Sequence, residues 1–139
     1  KSTIKTRVGA LSNNTDGDYK MGDVVYFGST TSMTAGSVYV YSGTAWELAN
    51  AGAASTAIGM LAVALGAASD TNGMLLRGMV TLSADPGSVS EPLYLSTTGG
   101  RAQNSAPTGS GKVVRLIGYC LDSTNGQVYF NPDNHYTVL

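Results

Sequence analysis

The chain has 139 residues and a net charge of −1, and charged residues make up only 12% of it, about half of the ~25% usual for soluble domains. That length fits one domain able to bury a core without disulfide or metal staples, and the chain holds no basic stripe that could release counterions from a phosphate backbone. Nucleic-acid binding is set aside on that ground, and a single cysteine, Cys120, excludes an intrachain disulfide and a cysteine metal knuckle.

In chain order, residues 1–21 read as a leading arm. Ile4, Thr6 and Val8 alternate there, a pattern that suits either a mobile tail or a strand donated to a neighbour. The arm opens at Lys1 without an initiator Met or an apolar leader, which suggests a processed product or one module of a longer polypeptide. Residues 11–18 form a polar turn, and Asn13-Asn14-Thr15 matches a glycosylation acceptor.

Residues 22–139 read as one all-β domain, because short runs of Val, Tyr, Leu and Met are punctuated by Gly, Asn, Asp and Ser with no helical periodicity. Strands are predicted at 23–27, 37–41, 45–49, 59–65, 73–82, 92–96, 113–121, 127–131 and 136–139. The second and third form a hairpin across Ser42-Gly43-Thr44, with Gly43 supplying positive φ, Tyr39 and Tyr41 on one face and Val38 and Val40 on the other. The Ala-rich run 51–68 is interrupted by Gly52, Gly59 and Gly66 and is too short for the ~20 residues of a membrane span. It reads as a turn feeding the strand Met60-Leu61-Ala62-Val63-Ala64-Leu65, whose continuous apolar content calls for cover on both faces: the core on one, a neighbouring subunit on the other. Asn72-Gly73 and Asn125-Gly126 are expected to hold type I′ turns, each joining adjacent antiparallel strands. Residues 83–91 and 99–111 read as external loops.

The chain also repeats itself. Val25-Tyr26-Phe27, Ser29-Thr30-Thr31, Ile58-Gly59 and Asp70-Thr71-Asn72-Gly73 recur in the same order as Leu93-Tyr94-Leu95, Ser96-Thr97-Thr98, Ile117-Gly118 and Ser123-Thr124-Asn125-Gly126. Two copies are too few for a solenoid, which needs about three stacked units. The expectation is therefore a Gly-rich antiparallel β-barrel or sandwich with pseudo-duplicated halves.

Catalytic chemistry finds little support. Pro107-Thr108-Gly109-Ser110-Gly111-Lys112 superficially resembles a phosphate loop, but Ala106 stands where the first Gly belongs, Val113 follows the Lys, and no helix is expected next. Asn14, Asp16 and Asp18 are spaced like the start of a calcium loop, yet Tyr19 takes the Gly place and Val25 the twelfth position. His135, the single histidine, lies near Asp133 without a nucleophile elbow, and Glu47 and Glu91 are the only glutamates. No catalytic, cofactor-binding or metal-ligating set is read from the chain. Tyr39, Tyr41 and Trp46 are candidate ligand-facing residues, either a sugar-stacking platform or cross-strand pairs closing a barrel end.

Five phrases carry a resemblance: Gly22-Asp23-Val24-Val25-Tyr26-Phe27, Gly78-Met79-Val80-Thr81-Leu82, Pro92-Leu93-Tyr94-Leu95-Ser96-Thr97-Thr98-Gly99-Gly100, Val113-Val114-Arg115-Leu116-Ile117-Gly118-Tyr119 and Val128-Tyr129-Phe130-Asn131-Pro132-Asp133. Together they resemble terminal modules of tailed-phage fibre and appendage proteins, and are similar to the small β-barrel decoration, or cement, proteins of phage capsids. The resemblance implies a non-enzymatic module on the virion exterior that needs no cofactor and assembles with copies of itself, commonly as trimers, or with other virion proteins. The extra hairpin at 37–49 and the longer leading segment depart from the cement group and leave the place on the particle open.

The function expected is thus a self-associating structural module of the fibre or appendage type, with a capsid decoration protein and a carbohydrate- or receptor-binding module facing a host-surface glycan as alternatives. Met60, Ala62, Ala64, Met74 and Leu76 are the expected self-association seam. Neither nucleic acid nor a membrane span enters this reading.

Overall fold

Short apolar runs broken by glycine give strands and little else, since each run is too short for a stable helix and its β-branched and aromatic residues fit a pleated surface. The computed structural model describes residues 15–84 and 87–139. They form β1 (Tyr19–Val25), β2 (Val38–Tyr41), β3 (Trp46–Leu48), a 3₁₀ turn (Ala54–Thr56), β4 (Leu61–Ala64), a one-turn helix α1 (Ser69–Asn72), β5 (Met74–Thr81), β6 (Pro92–Leu95), β7 (Ala102–Gln103), β8 (Val113–Val114), β9 (Leu116–Asp122), β10 (Gln127–Phe130) and β11 (Thr137–Val138). The leading-arm residues Ile4, Thr6 and Val8 and the acceptor Asn13 lie outside the described residues.

One antiparallel sheet in the order β3-β2-β4-β5-β10-β9-β6-β7 curls into a half-barrel, with β1 laid along β5, while β8 and β11 pair separately. The order reads the same from both ends: an edge hairpin (β2–β3 or β6–β7), one intermediate strand (β4 or β9), then a central strand (β5 or β10). β1 runs along one side of β5, while β4 and β10 take successive stretches of its other side, residues 74–75 and 78–81, so the repeat is one of element order. The duplication is therefore a property of the topology, but one of its equivalences shifts. Leu93-Tyr94-Leu95 on β6 corresponds to the β2 hairpin strand, not to Val25-Tyr26-Phe27, because an apolar-Tyr-apolar phrase occurs at both places and only the pairing distinguishes them.

Backbone hydrogen bonds draw the two edge hairpins together. Gly100 N–H donates to Ala49 O (2.7 Å), Val38 N–H to Gly100 O (2.9 Å), Ala51 N–H to Ser96 O (2.9 Å) and Val113 N–H to Ala51 O (2.8 Å). These bonds tie β2 and the segment after β3 to the connection between β6 and β7 and to β8.

Inside the curl lies the main core, with Val38, Val40, Leu61, Val63, Leu75, Val80, Leu93, Leu95, Ile117, Val128 and Phe130 among its buried members. A second, smaller core of Met33, Tyr39, Trp46, Ala62, Ala64 and Met74 lies on the outer face of β2, β4 and β5. A strap, residues 27–34, closes it. Met33 N–H donates to Ala67 O, Thr30 N–H to Ser69 Oγ (2.9 Å), and Trp46 Nε1–H to Phe27 O (2.9 Å). Asp70 adds a fork, accepting from both Ser29 N–H (2.9 Å) and Ser29 Oγ–H (3.0 Å).

That fork makes the strap sensitive to acid. The Ser29 N–H first, then the Ser29 and Ser69 hydroxyls, hold the Asp70 carboxyl below its ordinary value. A depressed folded pKa stabilises the fold above the unfolded value, and the contribution is lost as pH falls below roughly 4 toward the folded pKa. Fluorescence of the single Trp46, followed from about pH 6 to about pH 2, should report the strap loosening, and Asp70→Asn should remove that step. Identical titrations of the two proteins would show that Asp70 does not carry the link.

Several local expectations shift. Asn72-Gly73 does not form a type I′ turn: α1 occupies residues 69–72 and only Gly73 has positive φ (89°). Of the second pair, again only the glycine, Gly126 (φ 72°), is left-handed, in a turn where Asp122 accepts from Thr124 N–H. A type I′ turn needs positive φ at both central residues, yet each pair still precedes a strand that folds back antiparallel on its predecessor. The predicted strand at 113–121 divides at Arg115, and the loop 99–111 contains β7 paired to β6.

Candidate functional site

The aromatic candidates are packed inward. Trp46 is 3% and Tyr39 7% exposed; the Tyr39 hydroxyl accepts from Thr34 N–H (2.8 Å). Phe27 closes over Trp46 and Tyr41 with ring centroids 5.4 and 5.1 Å apart. Alternation places Tyr39 and Tyr41 on the outer face as expected, but the strap then covers them. Only Tyr41 stays half-buried, so a sugar-stacking platform of Tyr39, Tyr41 and Trp46 is not presented to solvent.

The five expected seam residues separate. Ala62, Ala64 and Met74 are fully buried in the second core, so the outer face of β4 is covered by the chain's own Met33, Tyr39 and Trp46 and needs no neighbouring subunit there. Leu76 is half-buried against that core, and Met60 is 42% exposed at the rim of a groove. Sequence alone could not separate these cases, since core and seam positions carry the same residue types.

Among the described residues, no strap covers the outer face of β1, β5, β10, β9 and β6. Register places Met21, Met79, Tyr129, Tyr119 and Pro92 opposite one another across β1, β5, β10, β9 and β6. Directly paired residues share a face, and the alternating neighbours Val80, Val128, Cys120 and Leu93 point into the core. Met21 is 47% and Tyr119 45% exposed. A hollow of about 490 Å³ lined by Tyr19, Met21, Arg77 and Tyr129 lies at one end of the row. The pair Arg77 and Asp23 (3.0 Å) neutralises itself beside it. The alternation in 127–131 and 113–121 was the available signal for this row, but which face stays open depends on where the strap lies.

A groove of about 670 Å³ opens between the turn before β4 (Ile58, Gly59, Met60), the β1–β5 pair (Asp23, Leu76, Arg77) and the segment after β10 (Asn131, Pro132, Asn134). Arg115, 5% exposed, lies in its wall. Its Nε–H donates to Asp133 O (2.8 Å) and its Nη1 to Ala57 O (2.9 Å) and Gly59 O (2.6 Å), which ties the turn before β4 to the C-terminal segment. Burial pushes the guanidinium below its ordinary value, with Asp133 and Tyr136 pulling the other way.

The remaining chemical candidates stay apart. Asp133 Oδ1 accepts from the His135 backbone N–H (3.0 Å), a local turn and not an imidazole relay. Residues 107–112 lead into β8, with Lys112 N–H bonded to Gly109 O in a turn. Asp16 and Asp18 belong to the described residues and Asn14 does not; among the described residues no cluster of three or more His, Cys, Asp and Glu could hold a metal ion. No described helix is long and apolar enough to cross a membrane. Comparison of the chain with protein-family models, curated proteins and solved structures finds no match.

Proposed function

We propose that this chain is a non-enzymatic structural and assembly module on the exterior of a phage virion or similar filament, of the fibre or appendage kind, whose copies associate through the uncovered sheet face. The observation that carries the reading is the row Met21, Met79, Tyr129, Tyr119 and Pro92. The outer face of β2, β4 and β5 is covered by the strap, whereas among the described residues no segment covers this row. Two copies meeting here bring no net like charge together, since Arg77 and Asp23 cancel and the whole chain carries only −1. Self-complementary association of one patch is the common way closed oligomers form. The virion setting is supported by the strand phrases that resemble fibre and appendage modules.

Size-exclusion chromatography with light scattering should return a multimer. Tyr119→Asp, which places a charge in the middle of the row, should dissociate it with the β circular dichroism unchanged, while Val89→Asp, at an exposed position off the row, should leave it assembled. A monomer for the unaltered chain at high concentration would overturn the reading.

A further inference from the structure

We infer that the groove beside Arg115 is a binding site for a carboxylate carried on a small hydroxylated frame, the chemistry of a uronic or sialic acid residue. The proposal is independent of the assembly reading, because the groove is a different surface from the row on β1, β5, β10, β9 and β6.

Arg115 is a buried cation that Asp133 and Tyr136 favour from nearby without an ion pair, since the Arg77–Asp23 pair is the only one among the described residues. Asp133 gives Arg115 its main-chain carbonyl and turns its side chain to His135 N–H. Buried charges are ordinarily paired. Three carbonyl oxygens use Nε and Nη1, while Nη2 has no partner among the described residues and is not sealed from solvent. Nη2 is thus the guanidinium nitrogen without a protein partner, on a residue that lines the groove, and a charge-assisted hydrogen bond to an anionic oxygen is the interaction it lacks.

In the rest of the wall Asp23 and Arg77 pair with each other, and the neutral residues select the frame. Asn131 and Asn134 offer amides that donate and accept, as ring hydroxyls require. Met60 and Leu76 offer an apolar flank against which a pyranose face can rest. A volume of about 670 Å³ falls in the range of roughly 300–1,000 Å³ typical of small-ligand sites.

The test is an amide NMR titration of the whole chain with glucuronate, with its methyl ester and glucose as uncharged controls and acetate as a bare carboxylate. Glucuronate should move the amides of Gly59, Met60, Asn131 and Asn134, with the ester and acetate each weaker by about tenfold or more. Arg115 itself is left intact, since its loss would orphan three carbonyls. Met60→Glu, at an exposed rim position, should instead weaken glucuronate by about tenfold through like-charge repulsion while the melting temperature holds. No shift with glucuronate, or equal binding of the ester, overturns the anion site; acetate binding as well as glucuronate overturns the saccharide frame. The oligomeric state is read separately, so the two proposals fail by different measurements.

Discussion

Gly78→Ala should be among the most damaging single substitutions in this chain, lowering stability by about 2–6 kcal/mol. Gly78 on β5 pairs with Gly22 on β1, and both have positive φ, 144° and 153°. A Cβ on Gly78 would collide with Met21 O and Gly22 Cα, and one on Gly22 with Arg77 O, so backbone faces backbone with no flexible side chain to yield. β5 is also the hub of the sheet, pairing with β1, β4 and β10. Urea unfolding of Gly78→Ala and Gly22→Ala should therefore give similar large losses. Because the two sites share one contact, the double variant should cost clearly less than the sum. Additive losses, or a loss below about 1 kcal/mol at Gly78, would show that β1 does not press against β5 in solution.

Phe130→Ala should cost about 3–5 kcal/mol by leaving a cavity in the main core. Phe130 is fully buried and heads the largest sealed side chains. Its cross-strand partners are glycines on both sides, Gly78 on β5 and Gly118 on β9. Neither glycine carries a side chain that could move into the space the ring leaves, so the cavity stays. Phe130→Leu should recover more than half of the loss, since most of the volume returns. A thermal melt of Phe130→Ala within about 3 °C of the unaltered chain would contradict this placement, because a loss of that size predicts a shift of roughly 10 °C or more.

The two tests bear on different parts of what the residues encode. Gly78 sits inside a legible apolar strand and Gly22 just before one, but nothing local says that they meet. Phe130 announces itself as core, yet one of its glycine flanks, Gly78, comes from a strand far away in the chain. Likewise the separation of Val38 and Val40 from Tyr39 and Tyr41 onto opposite faces was readable, because alternation on a pleated strand is a local property. The reach of β1 back to Tyr19 was not, because its polar half is held by pairing to β5 and not by its own composition.

Strand content, the β2–β3 hairpin with its Gly43 turn, the antiparallel returns after each Asn-Gly pair and the duplicated order of elements were determined by the sequence alone. All of them depend on neighbours within a few residues, where period, β-branching and glycine conformation decide the outcome. Only the tertiary structure decided which apolar face is covered: Ser29 and Thr30 clasp α1 and Met33 bonds Ala67 to close the second core over Trp46, while among the described residues nothing covers the face with Tyr119 and Tyr129. It also decided that Arg115 is buried beside a groove. Burial is a sum over segments remote in sequence, and a residue carries no mark of what will come to lie against it.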